Sequence, residues 1–121
     1  IVSSDLARSY DTAKIVGERK GLEPRQTILL REIDWGKHTG GHLSSIDWKH
    51  LPEGCESLES LMVRARAFID WLCAEYRDQV VLAVGHGAID RAIVAYLEGK
   101  TVTEMMDMPI MKNTSVIRLQ L

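Results

Sequence analysis

Residue 86 is a histidine held between two glycines, directly after an apolar run and directly before a helical pattern. The run at 80–84 reads VVLAV, which is typical of a strand covered on both faces of a parallel sheet. Open α/β sheets bind ligands beyond the C-terminal ends of their strands, and a helix N-terminus attracts anions. The flanking glycines leave room for a ligand at the backbone. We therefore interpret His86 as a phosphoryl-binding residue, with a hydrogen-bonded core histidine as the alternative.

A second candidate is Arg8, which falls in the first turn of a helix that follows a strand end. Its planar guanidinium can donate parallel hydrogen bonds to phosphate oxygens, and the helix N-terminus adds to the attraction. The alternative is a surface arginine that pairs with Asp5 or Asp11.

A third candidate is Glu32, where an apolar segment runs into Trp35 and the glycine turn at Gly36. Partial desolvation by Trp35 would suit this carboxyl group for general acid catalysis. The alternative is a solvated glutamate at a strand end.

Two further patterns resemble cofactor-binding motifs, and each lacks a feature that its motif requires. The Gly-His-Gly run looks like the start of a dinucleotide fingerprint, but Asp90 stands where the third glycine belongs. His38 and His42 have the spacing of helical zinc ligands, yet the two glycines between them oppose a helix. We therefore expect no metal and no nucleotide cofactor, and we interpret His38 as a loop residue that lines the site.

The helices that would position these residues are readable from apolar spacing and caps. We predict a first helix with Ser4 as its N-cap, a long helix over 58–76 capped by Ser57, and a third helix over 89–97. Thr101 begins a capping box for a further short helix.

Strand patterns alternate with these helices. We predict strand residues at 1–3, 27–30, 80–84 and 115–121, and a long ordered loop over 36–57 that covers the site. Strands separated by helices indicate an α/β fold, here a three-layer α/β/α arrangement with a mostly parallel sheet.

The bulk composition indicates one domain over residues 1–121 and excludes several classes of function. Fifteen basic residues against 17 acidic ones give a net charge of −2, which makes nucleic acid a poor partner. No apolar stretch is long enough to cross a membrane. The two cysteines have no metal-like spacing, so we expect a reduced, cytoplasmic setting.

Five motifs in order resemble the histidine phosphatase superfamily, also called the phosphoglycerate-mutase-like fold. They read SSDLARSYDTA at 3–13, LREIDWG at 30–36, GCES at 54–57, VGHG at 84–87 and NTSV at 113–116. Within that family the segment around Glu32 is most similar to the α-ribazole phosphatase and broad-specificity type.

The resemblance implies a phosphate pocket without metal or organic cofactor. Arg8 and His86 would hold the phosphoryl group, and Glu32 would give a proton to the leaving oxygen. The other implied binding groups are the backbone N–H of Gly87, Asn113 at the start of the last strand, Trp35 and His38.

The family's nucleophile is a different histidine, which forms a phosphohistidine that water then hydrolyses. It belongs to an Arg-His-Gly motif that these 121 residues lack. We therefore expect that motif, with the first strand and helix of the fold, to lie N-terminal to this chain, and we expect the chain alone to be inactive.

Three functions agree with this resemblance. The first is a phosphatase acting on a small phosphorylated metabolite. The second is a non-catalytic phosphate-binding or interaction remnant of the same fold. The third, ranked below the others, is a phosphoglycerate mutase, because the interval between Glu32 and His86 looks short for the mutase insertion. A sheet without its central strand also exposes edges, which predicts pairing with a second copy.

Overall fold

The computed structural model describes residues 1–40 and 46–121. Its sheet has three short parallel strands, β1 (Val2–Ser4), β2 (Arg25–Thr27) and β3 (Ala83–Val84), in the order β2-β1-β3. Val2 pairs with Arg25 on one side and with Ala83 on the other, so β1 is the centre of the sheet. The predicted α/β fold with a parallel sheet is therefore confirmed.

The described residues also form four helices: α1 (Ala7–Glu18), α2 (Leu58–Glu75), α3 (Gly87–Leu97) and α4 (Val102–Met106). Two short 3₁₀ turns, Ile28–Leu30 and Gly36–His38, lie on the segment between β2 and α2. No helix in the described part of the chain is long and apolar enough to cross a membrane.

Two predicted helix starts are confirmed and one is wrong. The Ser57 side chain accepts the N–H of Ser60 at the start of α2, and Thr101 forms a complete capping box with Glu104. Ser4 does not cap α1, because it is the last residue of β1 and its hydroxyl accepts the N–H of Leu6 (3.2 Å). Leu6 itself is the N-cap residue, without a side-chain hydrogen bond.

The main core lies where α2 packs against α3. From α2 it takes Leu61, Ala65 and Phe68, and from α3 it takes Ile89 and Ala92, all buried. Burial of these apolar side chains is the main force that holds α3, and therefore its N-terminus, in place.

Helix α1 packs against β1 and β3 through Ser9, Ala13 and Gly17, which are four residues apart. A side chain at position 17 would meet the carbonyl oxygen of Leu22 at 2.3 Å, so the chain can turn back toward β2 only with glycine there.

The strand predictions were partly wrong. Residues 28–30 form a 3₁₀ turn, and of the run at 80–84 only Ala83–Val84 is strand, with Val80 fully exposed. Residues 115–121 form no strand although apolar and polar residues alternate, and Val116 is 82% exposed. A strand needs a hydrogen-bonded neighbour as well as the right pattern, and within the described ranges the outer edge of β3 has none.

Candidate active site

His86 lies between the C-terminal end of β3 and the first turn of α3, where it is the N-cap residue. Its side chain is 9% exposed, and its Nε2 lies 2.9 Å from the Oγ of Ser4 at the end of β1. Burial lowers the pKa of His86 to about 4, helped by the charges of Arg8 and Arg64 and opposed by that of Asp5. The imidazole is therefore neutral at pH 7.

Glu32 is joined directly to the first turn of α3. Its Oε1 accepts the backbone N–H of Ala88 (3.1 Å) and the N–H of Ile33 (3.0 Å), and its Oε2 lies 3.3 Å from the nitrogen of Ala88. The side chain is half-buried. Glu32 is therefore not a free, solvated glutamate, and its carboxylate occupies one of the unpaired amides of the helix N-terminus.

Arg8 is exposed in the first turn of α1, close enough for its charge to act on His86. The alternative pairings are not made, because Asp5 binds Arg31 through two hydrogen bonds and Asp11 binds Lys14 at 3.1 Å. Arg8 thus stands at the same end of the sheet as His86, without a carboxylate partner among the described residues.

The remaining predicted residues are not brought into contact with His86. Trp35 is half-buried and packs edge-on against Trp48, with ring centroids 5.4 Å apart, and His38 is exposed in its 3₁₀ turn. Asn113 is exposed in an irregular segment, so the prediction that it begins a strand was wrong. The suggested zinc partner His42 lies outside the described residues.

Gly87 is the first residue of α3, one position before the amide that binds Glu32. A side chain at position 87 would approach the Cγ2 of Ile110 to 2.7 Å, so the exposed Ile110 side chain would have to shift to make room for it. In the ranges 1–40 and 46–121 no group of three or more His, Cys, Asp and Glu residues could hold a metal ion.

Sequence reasoning missed Arg64, which fixes the backbone on which Glu32 is carried. From α2 its guanidinium donates to the carbonyl oxygens of Leu29 (3.1 Å), Arg31 and Glu32 (3.3 Å), and it forms an ion pair with Glu56 at 2.8 Å. The GCES motif includes Glu56. Nothing near Arg64 in the sequence predicts that it binds carbonyl oxygens more than 30 residues upstream.

Asp90 was also missed as part of the site. Burial and the charge of Glu32 raise its pKa to about 7, while the backbone N–H of His86 acts in the opposite direction by hydrogen bonding. A side chain at Gly85 would meet the Oδ1 of Asp90 at 2.3 Å, so the turn before His86 is built closely around this carboxyl group.

Comparisons with known proteins identify the family of this chain. A profile of the histidine phosphatase superfamily (branch 1) matches residues 1–121. The glucosyl-3-phosphoglycerate phosphatase of Mycobacterium tuberculosis (strain CDC 1551 / Oshkosh) is 35% identical over 118 residues, which cover 80% of this chain and 53% of that protein. Phosphoserine phosphatase 1 of Hydrogenobacter thermophilus (strain DSM 6534 / IAM 12695 / TK-6) is 30% identical over 113 residues, or 82% and 54% of the two chains. The chain thus spans little more than half the length of these curated relatives.

Solved structures show the same fold. A mycobacterial glucosyl-3-phosphoglycerate phosphatase in complex with inorganic phosphate superimposes with a TM-score of 0.82 at 33% identity, over 95% of this chain and 66% of that one. A candidate α-ribazole-5′-P phosphatase from Escherichia coli (K-12 MG1655) gives a TM-score of 0.69 at 22% identity, over 88% and 59% of the two chains, and shows the fold alone. Because the family profile matches residues 1–121 of this protein, the chain belongs to the histidine phosphatase superfamily.

Proposed function

We propose that this protein is a phosphoric monoester hydrolase that acts on a small phosphorylated metabolite through a phosphohistidine intermediate. The observation that carries the proposal is the Glu32 carboxylate bound to the Ala88 amide at the start of α3, next to the neutral, buried His86. Relatives named as phosphatases of glucosyl-3-phosphoglycerate and phosphoserine support the class of reaction.

In this proposal each residue has one role. Arg8 neutralises charge on the phosphoryl oxygens, and the neutral His86 and the amide of Gly87 donate hydrogen bonds to them, because donors fixed in advance stabilise charge without reorganisation. Trp35, His38 and Asn113 contribute to substrate binding from the loops around the pocket. No metal or organic cofactor takes part.

The proposed reaction has two steps. A histidine nitrogen attacks phosphorus, the phosphorus–oxygen ester bond breaks, and Glu32, which enters this step in its protonated form, gives its proton to the leaving oxygen and becomes a carboxylate. Water then attacks the phosphohistidine, Glu32 takes up the proton of that water, and phosphate leaves with the imidazole restored.

The attacking histidine is proposed to come from outside these 121 residues. His86 is engaged with Ser4, and the ring of His50 is exposed and bound to Asp47 at 2.8 Å. We also propose a cytoplasmic location, since Cys55 and Cys73 are both free thiols.

The sharpest test uses two substrates that differ in their need for a proton. In the full-length protein, Glu32→Gln should lower phosphate release from an alkyl phosphate by about 10²- to 10⁴-fold. The loss should be much smaller with p-nitrophenyl phosphate, because its leaving group departs as a stable anion. Glu23→Gln, at an exposed position, is the matched control and should leave both rates unchanged.

Equal losses on the two substrates would contradict the proton-donor role. A second candidate function is phosphate binding without hydrolysis, favoured by the presence of the proposed phosphate ligands Arg8 and His86 in these 121 residues, which contain no Arg-His-Gly motif. Vanadate binding by full-length protein that releases no phosphate from either ester would support it.

A further inference from the structure

Ser4 is a buried hydroxyl group that the proposed chemistry does not use. It is the last residue of β1, it is 0% exposed, and its Oγ lies 2.9 Å from Nε2 of His86. The same Oγ accepts the backbone N–H of Leu6 at 3.2 Å. Leu6 and His86 are the N-cap residues of α1 and α3, so this one hydroxyl group joins the starts of the two helices at which Arg8 and His86 lie.

The partners of this hydroxyl group determine where its proton points. A serine hydroxyl has one proton to donate and two lone pairs that accept. The N–H of Leu6 can only donate, so it uses a lone pair of Ser4 Oγ, and a hydroxyl group that accepts one hydrogen bond is polarised into a better donor. If Nε2 of His86 carried a proton, Ser4 Oγ would accept twice and its own buried proton would need a third partner. The 2.9 Å contact is therefore best made with Ser4 O–H as the donor and Nε2 as the acceptor.

The direction of this hydrogen bond determines the tautomer of His86. Burial lowers the pKa of the imidazole to about 4, so at pH 7 the ring is neutral and carries a single N–H. A ring that accepts a hydrogen bond at Nε2 has its proton on Nδ1. Only the protonated nitrogen can donate to an oxygen of a phosphoryl group, because the other nitrogen presents a lone pair. The tautomer therefore decides which edge of His86 can bind phosphate.

Two more buried serines hold the backbone around this contact. Ser3 Oγ donates to the carbonyl oxygen of Ser4 at 2.8 Å and lies 3.3 Å from the Oγ of Ser9. Ser9 belongs to α1, and its hydroxyl donates to the carbonyl oxygen of Val84 at 2.8 Å, two residues before His86. These contacts join β1, α1 and β3, so the fold itself holds Ser4 next to the imidazole.

We propose that Ser4 is a positioning residue that sets the tautomer of His86. Its O–H donates to Nε2, which leaves Nδ1–H as the group of the ring that donates to an oxygen of the phosphoryl group. The inference rests on the proposed function, in which His86 binds that group, and it adds the residue that makes the ring a donor. Ser4 acts through His86 and makes no contact with the substrate itself.

NMR spectroscopy reads the tautomer directly from the ring nitrogens. In full-length wild-type protein with ¹⁵N-labelled histidine at pH 7, proton–nitrogen correlation spectra should show a protonated Nδ1 and an unprotonated Nε2 for His86. The signals of His86 are assigned by their absence from the spectrum of His86→Asn. In Ser4→Ala the hydroxyl group no longer selects one tautomer, so the nitrogen shifts should move toward the average of the two forms. Ser3→Ala is the matched control and should keep the wild-type shifts, since Ser3 is equally buried and its hydroxyl contacts Ser4 and Ser9 rather than His86.

A binding measurement connects the tautomer to phosphate recognition. Titration calorimetry of the full-length protein with inorganic phosphate should give about 3- to 10-fold weaker binding in Ser4→Ala, because the ring is then only partly in the donating tautomer and loses its fixed orientation. Ser3→Ala should bind phosphate as tightly as wild type does. Urea unfolding of both variants measures what the loss of a buried hydroxyl group costs in stability, so that a difference in phosphate binding between them reports on His86.

A wild-type spectrum with the proton on Nε2 would overturn the proposal, and so would equal weakening of phosphate binding in the two serine variants. The wild-type spectrum decides the matter even if Ser4→Ala fails to fold. A protonated Nδ1 that Ser4→Ala disturbs, in a protein that releases no phosphate from alkyl or p-nitrophenyl esters, would reject the hydrolase function and keep the role of Ser4. Phosphate release by a protein whose His86 carries its proton on Nε2 would do the reverse.

Discussion

His86 and Asp90 stand one helical turn apart and make stability depend on pH in opposite directions. The pKa of His86 falls from 6.5 to about 4 on folding, so its contribution to stability is lost as the pH falls from 6.5 toward 4. The pKa of Asp90 rises from 3.8 to about 7, so its contribution is lost as the pH rises from 3.8 toward 7. At 1.36 kcal/mol per pH unit the change is roughly 3 kcal/mol for His86 and roughly 4 kcal/mol for Asp90, each an upper limit because solvent screening reduces it, and the two changes largely cancel between pH 4 and 6.5.

Asp90→Asn should therefore reveal the titration of His86. The variant should be more stable than wild type by up to roughly 4 kcal/mol at pH 8, because no buried carboxylate has to ionise, and it should lose stability steeply between pH 6.5 and 4. Urea unfolding at intervals of half a pH unit measures this. Asp70→Asn, at an exposed position, should follow the wild-type curve, and an Asp90→Asn curve parallel to wild type would contradict the prediction.

The residues of the site were predictable to different degrees, for a physical reason. His86 and Glu32 could be predicted from the sequence because glycines and predicted strand ends lie next to them. Arg64 and Asp90 could not, because their roles depend on burial and on partners distant in sequence. Local patterns carry information about local conformation, and desolvation is a property of the folded protein.

At the scale of elements, Arg64 joins α2 to the segment that carries Glu32. Arg64→Met keeps much of the side-chain volume but leaves the partly buried carbonyl oxygens of Leu29 and Glu32 without donors and the Glu56 carboxylate without its ion pair, so it should lower the free energy of unfolding by about 3 kcal/mol. It should also lower phosphate release by the full-length protein, since Glu32 would lose its fixed position. Chemical denaturation and initial rates measure the two effects.

Arg66→Met is the matched control for this change, because Arg66 is exposed on the same helix and makes only a long pair of 3.6 Å with Asp70. Its stability should stay within about 0.5 kcal/mol of wild type. Similar losses in the two variants would show that Arg64 acts through helix α2 in general rather than through the carbonyl oxygens.

A second prediction at this scale concerns Gly85, in the turn between β3 and α3. In Gly85→Ala the new methyl group meets Asp90 Oδ1 at 2.3 Å, so the carboxyl group must leave its position. We expect a loss of about 2 kcal/mol in stability, within the range for overpacked sites. Adding Asp90→Ala should recover most of it, and purely additive effects of the two changes, measured by a double-mutant cycle, would contradict this reading.

Helix ends were predicted better than strands because they are determined locally. The caps at Ser57 and Thr101 need only partners three residues ahead. Residues 115–121 have a good alternating pattern, but a strand also needs a neighbour to receive its hydrogen bonds, and the pattern holds no information about that neighbour.

At the scale of the whole molecule, the outer edge of β3 and the apolar side chains near it are exposed, including Val80 and Leu82. We propose that the 121-residue chain pairs with a second copy through this edge, because unpaired strands accept further strands. Light scattering should give at least twice 13.6 kDa, and Leu82→Lys should shift the protein toward the monomer.

Val63→Lys is the control for that experiment, since Val63 is an exposed apolar residue of α2. It should leave the mass unchanged. A wild-type chain that is monomeric and unfolds cooperatively would contradict the pairing.

The Glu32 carboxylate on the Ala88 amide has a consequence for selectivity among ions. An anion that binds the Ala88 amide at the start of α3 must first displace the Glu32 carboxylate. Because Glu32 belongs to the same chain, its carboxylate is present there at a high effective concentration. Chloride and acetate carry a single charge and would make no second contact in the site, so they should not displace the carboxylate. In the proposed function a phosphoryl group would also engage Arg8 and His86 and would win this competition, so Glu32 would serve both as the acid of the reaction and as a barrier against the common salts of the cell.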